Sequence, residues 1–287
     1  MPTRWLTALA AALLTLTGLA AAEELDAVDE PIRTAQQLLI AIERVDERVD
    51  TLQADIQYDR RFKLQGDQHI RRGKLWYLTD RQGRLNEDGT TTRAFEINFN
   101  DLWLVADQRK EQDRQTWVFD GQWLIEKHPD KKQFIAREIA APGEDFDPLS
   151  IKEGLMPIPI GQRAADVLDR FEVELVEHPE GLDGEPAAMV TFVSACYQLR
   201  LVPKERFAED SKFKEIRLWY DISTLMPRMS RAVDRKGDVS FVQLLNVVQN
   251  ERLPRGVMVV TPPPADAGWD IQIERRRVEG AGDDDDA

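Results

Sequence analysis

The chain is short of the residues that reactive and cross-linked proteins rely on. It has one cysteine, Cys196, so no intrachain disulfide can form, and an exported protein without cross-links draws its stability from burial. Flanked by Ala195 and Tyr197 in a β-like run, Cys196 reads as a small core residue rather than a nucleophile. Its three histidines, His69, His128 and His178, stand far apart, and none has metal-ligand spacing to a cysteine or glutamate. The sequence contains no G-x-S-x-G, no phosphate loop and no dinucleotide fingerprint. Positive charge is also scarce: 38 Lys and Arg face 52 Asp and Glu, for a net charge of −14. An acidic body repels nucleic acid and anionic membranes, which removes both as main partners. The one dense basic run, at 275–277, reads as a solvated strand end. Carboxylates are so abundant that a pair resembling an acid–base couple carries no information.

Long apolar runs are missing everywhere except at the start. Residues 1–22, MPTRWLTALAAALLTLTGLAAA, place Arg4 before an apolar run that closes on Ala20, Ala21 and Ala22. This is the pattern of a secretory signal cleaved after Ala22; its strongly apolar part falls short of the ~20 residues a membrane span needs. No cysteine follows it, so the protein is not itself lipidated there. The expected organisation is a signal peptide over 1–22, an acidic linker over 23–30, one domain over 31–272 and a charged, disordered tail over 273–287. The four aspartates of that tail lack the rigid loop a calcium site requires. A periplasmic protein that does not span the membrane after signal cleavage is expected.

What the chain does have is an ordinary core-forming composition, 42% apolar and 31% charged. Ala35, Leu38, Leu39, Ile42, Val45 and Val49 follow helical spacing and predict one amphipathic helix over 32–49. It is either a plain core-facing helix or a lid over a cavity. Strands follow with short turns and no helix between them: 52–64, 70–79, 94–99, 102–107, then a hairpin over 116–127 turning at Asp120-Gly121, and 133–139. The region 142–161 carries Pro148, Pro157 and Pro159 and reads as loop, and 163–171 as a short helix. Strands resume at 172–177, 187–193 and 197–202.

The most informative stretch is 213–264, an antiparallel meander with a hairpin at Lys236-Gly237. Its strand over 239–248 is apolar on both faces, with Phe241, Leu245 and Val247 on one and Val242, Leu244 and Val248 on the other. A strand with one wet face alternates, so this one is covered on both sides, by protein on one and a greasy ligand cavity on the other.

In order, these pieces resemble the periplasmic lipoprotein-carrier family (LolA-type). The likeness is carried by the N-terminal helix with LQADIQYDRRF, by RGKLWYL, by WVFDGQWLIEKHPDKKQF, by the meander FKEIRLWYDISTLMPRMSRAVDRKGDVSFVQLLNVVQN and by VMVVTPPPADAGWDI. The resemblance implies an α+β fold: an incomplete antiparallel β-barrel of about eleven strands wrapped around a few helices, enclosing an apolar cavity. It implies a non-enzymatic carrier of acylated lipoproteins or lipids, taking them from an inner-membrane ABC transporter to an outer-membrane receptor, with no cofactor and no metal. A lipid-sensing regulator of the RseB type on the same fold is the alternative, and a hydrolase with dispersed residues a third. The family's lid-tying arginine has its nearest counterpart in Arg72, although the surrounding residues depart from the family's pattern. Arg72 with Leu38, Leu39 and Ile42 is the expected lid contact.

A carrier must shelter hydrocarbon at ~0.8 kcal/mol per CH₂ with large side chains that offer no fixed polar anchor. The candidate cavity lining is Trp76, Leu78, Phe95, Ile97, Phe99, Trp103, Trp117, Phe119, Trp123, Trp219 and Phe241. Each could equally be ordinary core packing.

Overall fold

The computed structural model describes residues 31–80, 92–141, 144, 149, 158 and 160–276. The expected signal peptide and acidic linker lie outside the described residues, as do the turn at 81–91, most of 142–159 and the end of the tail. From Ile32 onward the described residues belong to one compact unit.

The expected first helix is present, shorter at both ends, as α1 (Ala35–Asp46). Thr34 sets its start through a capping box: the Thr34 hydroxyl accepts from Gln37 N–H at 3.1 Å and Gln37 Oε1 accepts from Thr34 N–H at 3.1 Å. A run of strands follows, comprising β1 (Thr51–Phe62), β2 (Asp67–Asp80), β3 (Thr92–Leu104), β4 (Arg109–Glu111), β5 (Gln115–Phe119), β6 (Trp123–His128) and β7 (Gln133–Glu138). Two short helices, α2 (Ala164–Arg170) and α3 (Ala187–Phe192), bracket β8 (Phe171–Val176). The chain then forms β9 (Cys196–Pro203), β10 (Phe213–Asp221), β11 (Pro227–Asp234), β12 (Val239–Gln249) and, after an irregular stretch, β13 (Asp270–Glu274).

The thirteen strands among the described residues join one sheet in the order β13-β7-β6-β5-β3-β2-β1-β12-β11-β10-β9-β8, with β4 paired to β3. Every pairing is antiparallel except β13 on β7. The ends do not meet, so the sheet is an open barrel with β13 and β8 as its edges among the described residues. A twisted open sheet this wide must curl rather than stay flat; α1 and α2 lie against one of its faces and α3 against the other. The expected architecture is therefore present, with thirteen strands where about eleven were anticipated. One addition is β4, which falls between the strand expected at 102–107 and the hairpin expected over 116–127. Another is β13, which lies beyond the meander expected over 213–264 and extends past the expected domain end at 272 to Glu274. Conversely, the strands expected at 94–99 and 102–107 are one, β3, with a register shift opposite Arg72 and Gly73.

Three local readings are corrected. The strand expected over 187–193 is the helix α3, whose Met189 packs with Leu182 and Val193 on the sheet; its β-forming Val190, Thr191 and Phe192 are overridden by this packing. The connection between β5 and β6 spans 120–122 rather than two residues, with Asp120 Oδ1 accepting from Gln122 and Trp123 N–H. In β12, Asn246 sits at φ 52 and the register against β1 shifts between Gln53 and Asp55. This extra residue reverses the alternation, so Val247 joins Val242 and Leu244 on one face while Leu245 and Val248 are exposed.

Candidate ligand-binding site

The sheet has an inner face, under α1 and α2, and an outer face, on which α3 lies, and the two carry different clusters. On the inner face one cluster gathers Leu52, Ala54 and Ile56 of β1, Leu75 and Tyr77 of β2, Phe95, Ile97 and Phe99 of β3, Phe119, Leu124, Val242 and Leu244. Leu149, Ile158 and Ile160, from the region between β7 and α2, complete it. A second inner cluster joins Leu38, Leu39, Ala41 and Ile42 of α1 and Ala164 and Val167 of α2 to Leu199, Leu201, Ile216, Leu218, Tyr220 and Ala232 of the sheet. Val45 touches both clusters.

The expected lining residues divide between these faces. Phe95, Ile97, Phe99 and Phe119 are fully buried in the first inner cluster, and Trp117 packs against it with its ring edge-on to Phe99 at 5.8 Å. Trp219 and Phe241 lie on the outer face, under Leu182, Met189 and Val193. Trp123 belongs to a further outer group with Val118, Ile125, Phe134 and the C-terminal residues Met258, Val260, Trp269 and Ile271. Trp76 lines a shallow hollow of ≈ 190 Å³ with Gln53, Lys74 and Val248, on the face opposite Leu75 and Tyr77. Leu78 shares the Trp76 side of β2 by alternation, and Trp103 is 41% exposed. Thus five of the eleven are brought together on the inner face.

The lid residues divide as well. Leu38, Leu39 and Ile42 bind α1 directly to β9–β11. Arg72 is exposed and its Nε donates to Gln57 Oε1 at 2.8 Å, across the outer side of β1 and β2. Residue bulk alone favours the Trp76 side of β2, whereas the Leu75 and Tyr77 side is the one turned inward.

Where α1 ends, a pocket of ≈ 310 Å³ opens between helix, sheet and the segment entering α2. Its walls include Val49, Tyr77 and Ile160, which touch or belong to the first inner cluster, and its rim includes Glu43, Asp46, Glu47, Arg93 and Arg163. That volume lies at the lower end of the range for ligand pockets. Carboxylates at a helix C-terminus oppose its dipole, but here they have partners. Asp46 Oδ2 accepts from Gly161 N–H at 3.0 Å, and Glu43 Oε2 accepts from Ala164 N–H, the first residue of α2, at 3.3 Å. Sequence periodicity gives no sign of this pocket, because its rim is built from residues far apart in the chain. A second hollow of ≈ 230 Å³ lies by the far end of β1, between Tyr58, Arg60, Phe213 and Ser240. Burial raises the Tyr58 phenol above its ordinary value, against the charges of Arg60 and Arg71, so it stays protonated.

Reactive chemistry is poorly provided for. No group of three or more potential metal ligands exists among the described residues. Burial pushes the Cys196 thiol up to about 11, which keeps it un-ionised and inert at neutral pH. No described helix is long and apolar enough to cross a membrane.

No family model matches the chain, and no curated protein matches it in sequence. Solved structures do resemble it. The arrangement is similar to that of LolA-superfamily proteins. A LolA superfamily protein from Nitrosomonas europaea aligns at TM-score 0.32 and 14% identity, over 80% of this chain and 99% of that one. An uncharacterised conserved protein from Thermus thermophilus aligns at TM-score 0.42 and 14% identity, over 84% and 99%. MucB aligns at TM-score 0.37 and 15% identity over 77% of this chain, which spans 60% of the length of MucB. At such scores and identities these likenesses assign no function to the chain.

Proposed function

We propose that this is a non-enzymatic, exported binding protein that shelters the acyl chain of a lipid or lipoprotein on the inner face of its sheet and hands it on toward the outer membrane. The observation that carries the reading is the pocket at the end of α1: a charged rim leading directly to the aromatic and aliphatic side chains of the first inner cluster. Polar mouth and apolar depth suit a chain with a polar head and a hydrocarbon tail.

The energetics allow exchange. Leu38, Leu39 and Ile42 are at most 2% exposed, and at ~1.5–3 kcal/mol per buried side chain they hold α1 down by roughly 5–9 kcal/mol. An acyl chain of about 16 carbons gains on the order of 12 kcal/mol on leaving water. A hydrocarbon tail taking the place of α1 on the inner face therefore matches what it displaces.

The test is uptake of a fluorescent acyl lipid by delipidated protein, with native mass spectrometry for bound lipid. Saturable binding of one or two acyl chains is expected. Trp117→Glu, on the inner face, should reduce uptake at least tenfold, while Trp123→Glu, on the outer face, should leave it near wild type. Equal effects from the two variants, or no uptake by the wild type, would remove the reading.

A further inference from the structure

The seam between the two inner clusters is not wholly hydrocarbon. Ser230 on β11 pairs in register with Leu218 of the α1 cluster and with Val242 of the pocket cluster, so its hydroxyl stands between them. Tyr220 follows Leu218 by two residues and so shares its face of β10. The register shifts at this point, so Tyr220 faces Pro227, three residues from Ser230 on β11, and both side chains border the same seam. Both residues are 0% exposed, and neither Tyr220 OH nor Ser230 Oγ has a hydrogen-bond partner among the described residues. Native proteins keep few buried hydroxyls unpaired, because each one gives up its bonds to water for nothing. Two on one seam, both able to donate, point to an acceptor that arrives from outside.

The seam lies beneath the helix that ends at the pocket: Tyr220 belongs to the cluster that seats α1, and α1 closes on Asp46. Burial, reinforced by the negative charge of Asp46, raises the Tyr220 phenol well above its ordinary value, and Asp46 is part of the pocket rim. Tyr220 is therefore an O–H donor at any working pH, seated beneath α1.

Building on the acyl-binding reading, we infer that Tyr220 and Ser230 donate to the carbonyl oxygen of a neutral acyl ester, whose alkyl chain lies along the two inner clusters. A carbonyl oxygen has two lone pairs and satisfies both hydroxyls at once. A plain hydrocarbon leaves both unpaired. A free fatty-acid carboxylate would give up its hydration beside two neutral hydroxyls that are both 0% exposed, which penalises the charged acid and not the neutral ester. The site thus selects ester over acid and over alkane.

The experiment displaces a fluorescent acyl-ester probe from the purified protein with methyl palmitate, palmitate and hexadecane in turn. Wild type should prefer methyl palmitate over both others. Tyr220→Phe and Ser230→Ala should each lose about tenfold of that preference, the worth of one hydrogen bond, with the affinity for hexadecane unchanged. Without ligand, Tyr220→Phe should melt at the wild-type temperature or above, since it removes an unpaired group. Full ester preference in both variants overturns the carbonyl anchor while leaving acyl binding in place. Weaker hexadecane binding in the variants overturns it too, as a packing effect. Failure of the wild type to bind any of the three removes the acyl-binding reading itself.

Discussion

The same strands are covered on both faces, and the two covers are held by different forces. On the outer face of β9–β12, segment 177–194 is pinned by directional contacts. Both terminal nitrogens of Arg61 reach Glu185, each at 2.7 Å. Arg217 contributes a 3.1 Å ion pair to Glu180, and Gln198 Nε2 donates to the Glu180 carbonyl at 2.9 Å. Beneath them lie Trp219, Met229 and Phe241, with the Arg61 guanidinium 4.8 Å from the centre of the Phe241 ring. On the inner face α1 meets the sheet through Leu38, Leu39 and Ile42, hydrocarbon on hydrocarbon. A bidentate ion pair has one geometric solution, whereas apolar burial is non-directional and accepts any hydrocarbon of similar volume. The outer cover is built to stay. On the proposed reading, the inner one is the cover that a ligand replaces.

The sharpest way to break this comparison is to truncate one anchor on each side. Trp219→Ala, which empties a fully buried site, should cost about 4 kcal/mol in urea denaturation, and added acyl lipid should recover none of the local loss. Ile42→Ala should cost about 3 kcal/mol in the lipid-free protein. Because it loosens the replaceable cover, it should also speed uptake of acyl lipid, read by stopped-flow fluorescence. Faster uptake in Trp219→Ala and not in Ile42→Ala would reverse the assignment of the two faces.

A smaller effect follows from the ionisation of the outer network. Burial alone would raise the Glu215 carboxyl, but hydrogen bonds from Arg217 and Arg200 outweigh it and hold the group below its ordinary value of 4.5. A carboxylate lowered in the folded state stabilises the fold above about pH 4.5 and loses that contribution as pH falls through its lowered value. Glu215→Gln should therefore be less stable than wild type at pH 7, and the difference in urea midpoint should close as pH drops below about 4.5. A gap that stays constant down to about pH 2.5 would mean that the charge of Glu215 contributes nothing.

Much of this architecture is legible in the residues, and the failures have physical causes. Alternation in 52–62 marks the inner face of β1 because Leu52, Ala54 and Ile56 are apolar while Gln53, Asp55 and Gln57 are not. Alternation assigns a side, however, and not what covers it. Residue type cannot separate two strand tryptophans with opposite fates: Trp219 is 0% exposed and Trp103 is 41% exposed. Parity is also lost wherever the chain gains a residue, as at Asn246, which moves Val247 to the other face. Strand β13 pairs in parallel with β7, its residue Asp270 opposite Gln133, and no local pattern encodes a partner that distant. The pocket is hidden for the same reason, since Tyr77, Ile160 and Asp46 meet only in the fold.

The gentlest perturbation acts on the inner cover alone. Thr34 lies outside the apolar contacts of α1 yet fixes where the helix begins, through its capping box with Gln37. Thr34→Ala removes an acceptor from the Gln37 N–H and should lower stability by about 1 kcal/mol. The loss falls on α1 as a whole, not on any side chain that a ligand would touch. If α1 is the displaceable cover, a weaker helix favours the state in which it has left the sheet. Uptake should then rise by roughly fivefold, the equilibrium equivalent of that destabilisation, while the outer cover is untouched. If α1 instead stays seated while lipid enters, Thr34→Ala should lower the melting temperature and leave the uptake rate at the wild-type value. The two outcomes separate a cover that moves aside from a core that merely borders the pocket.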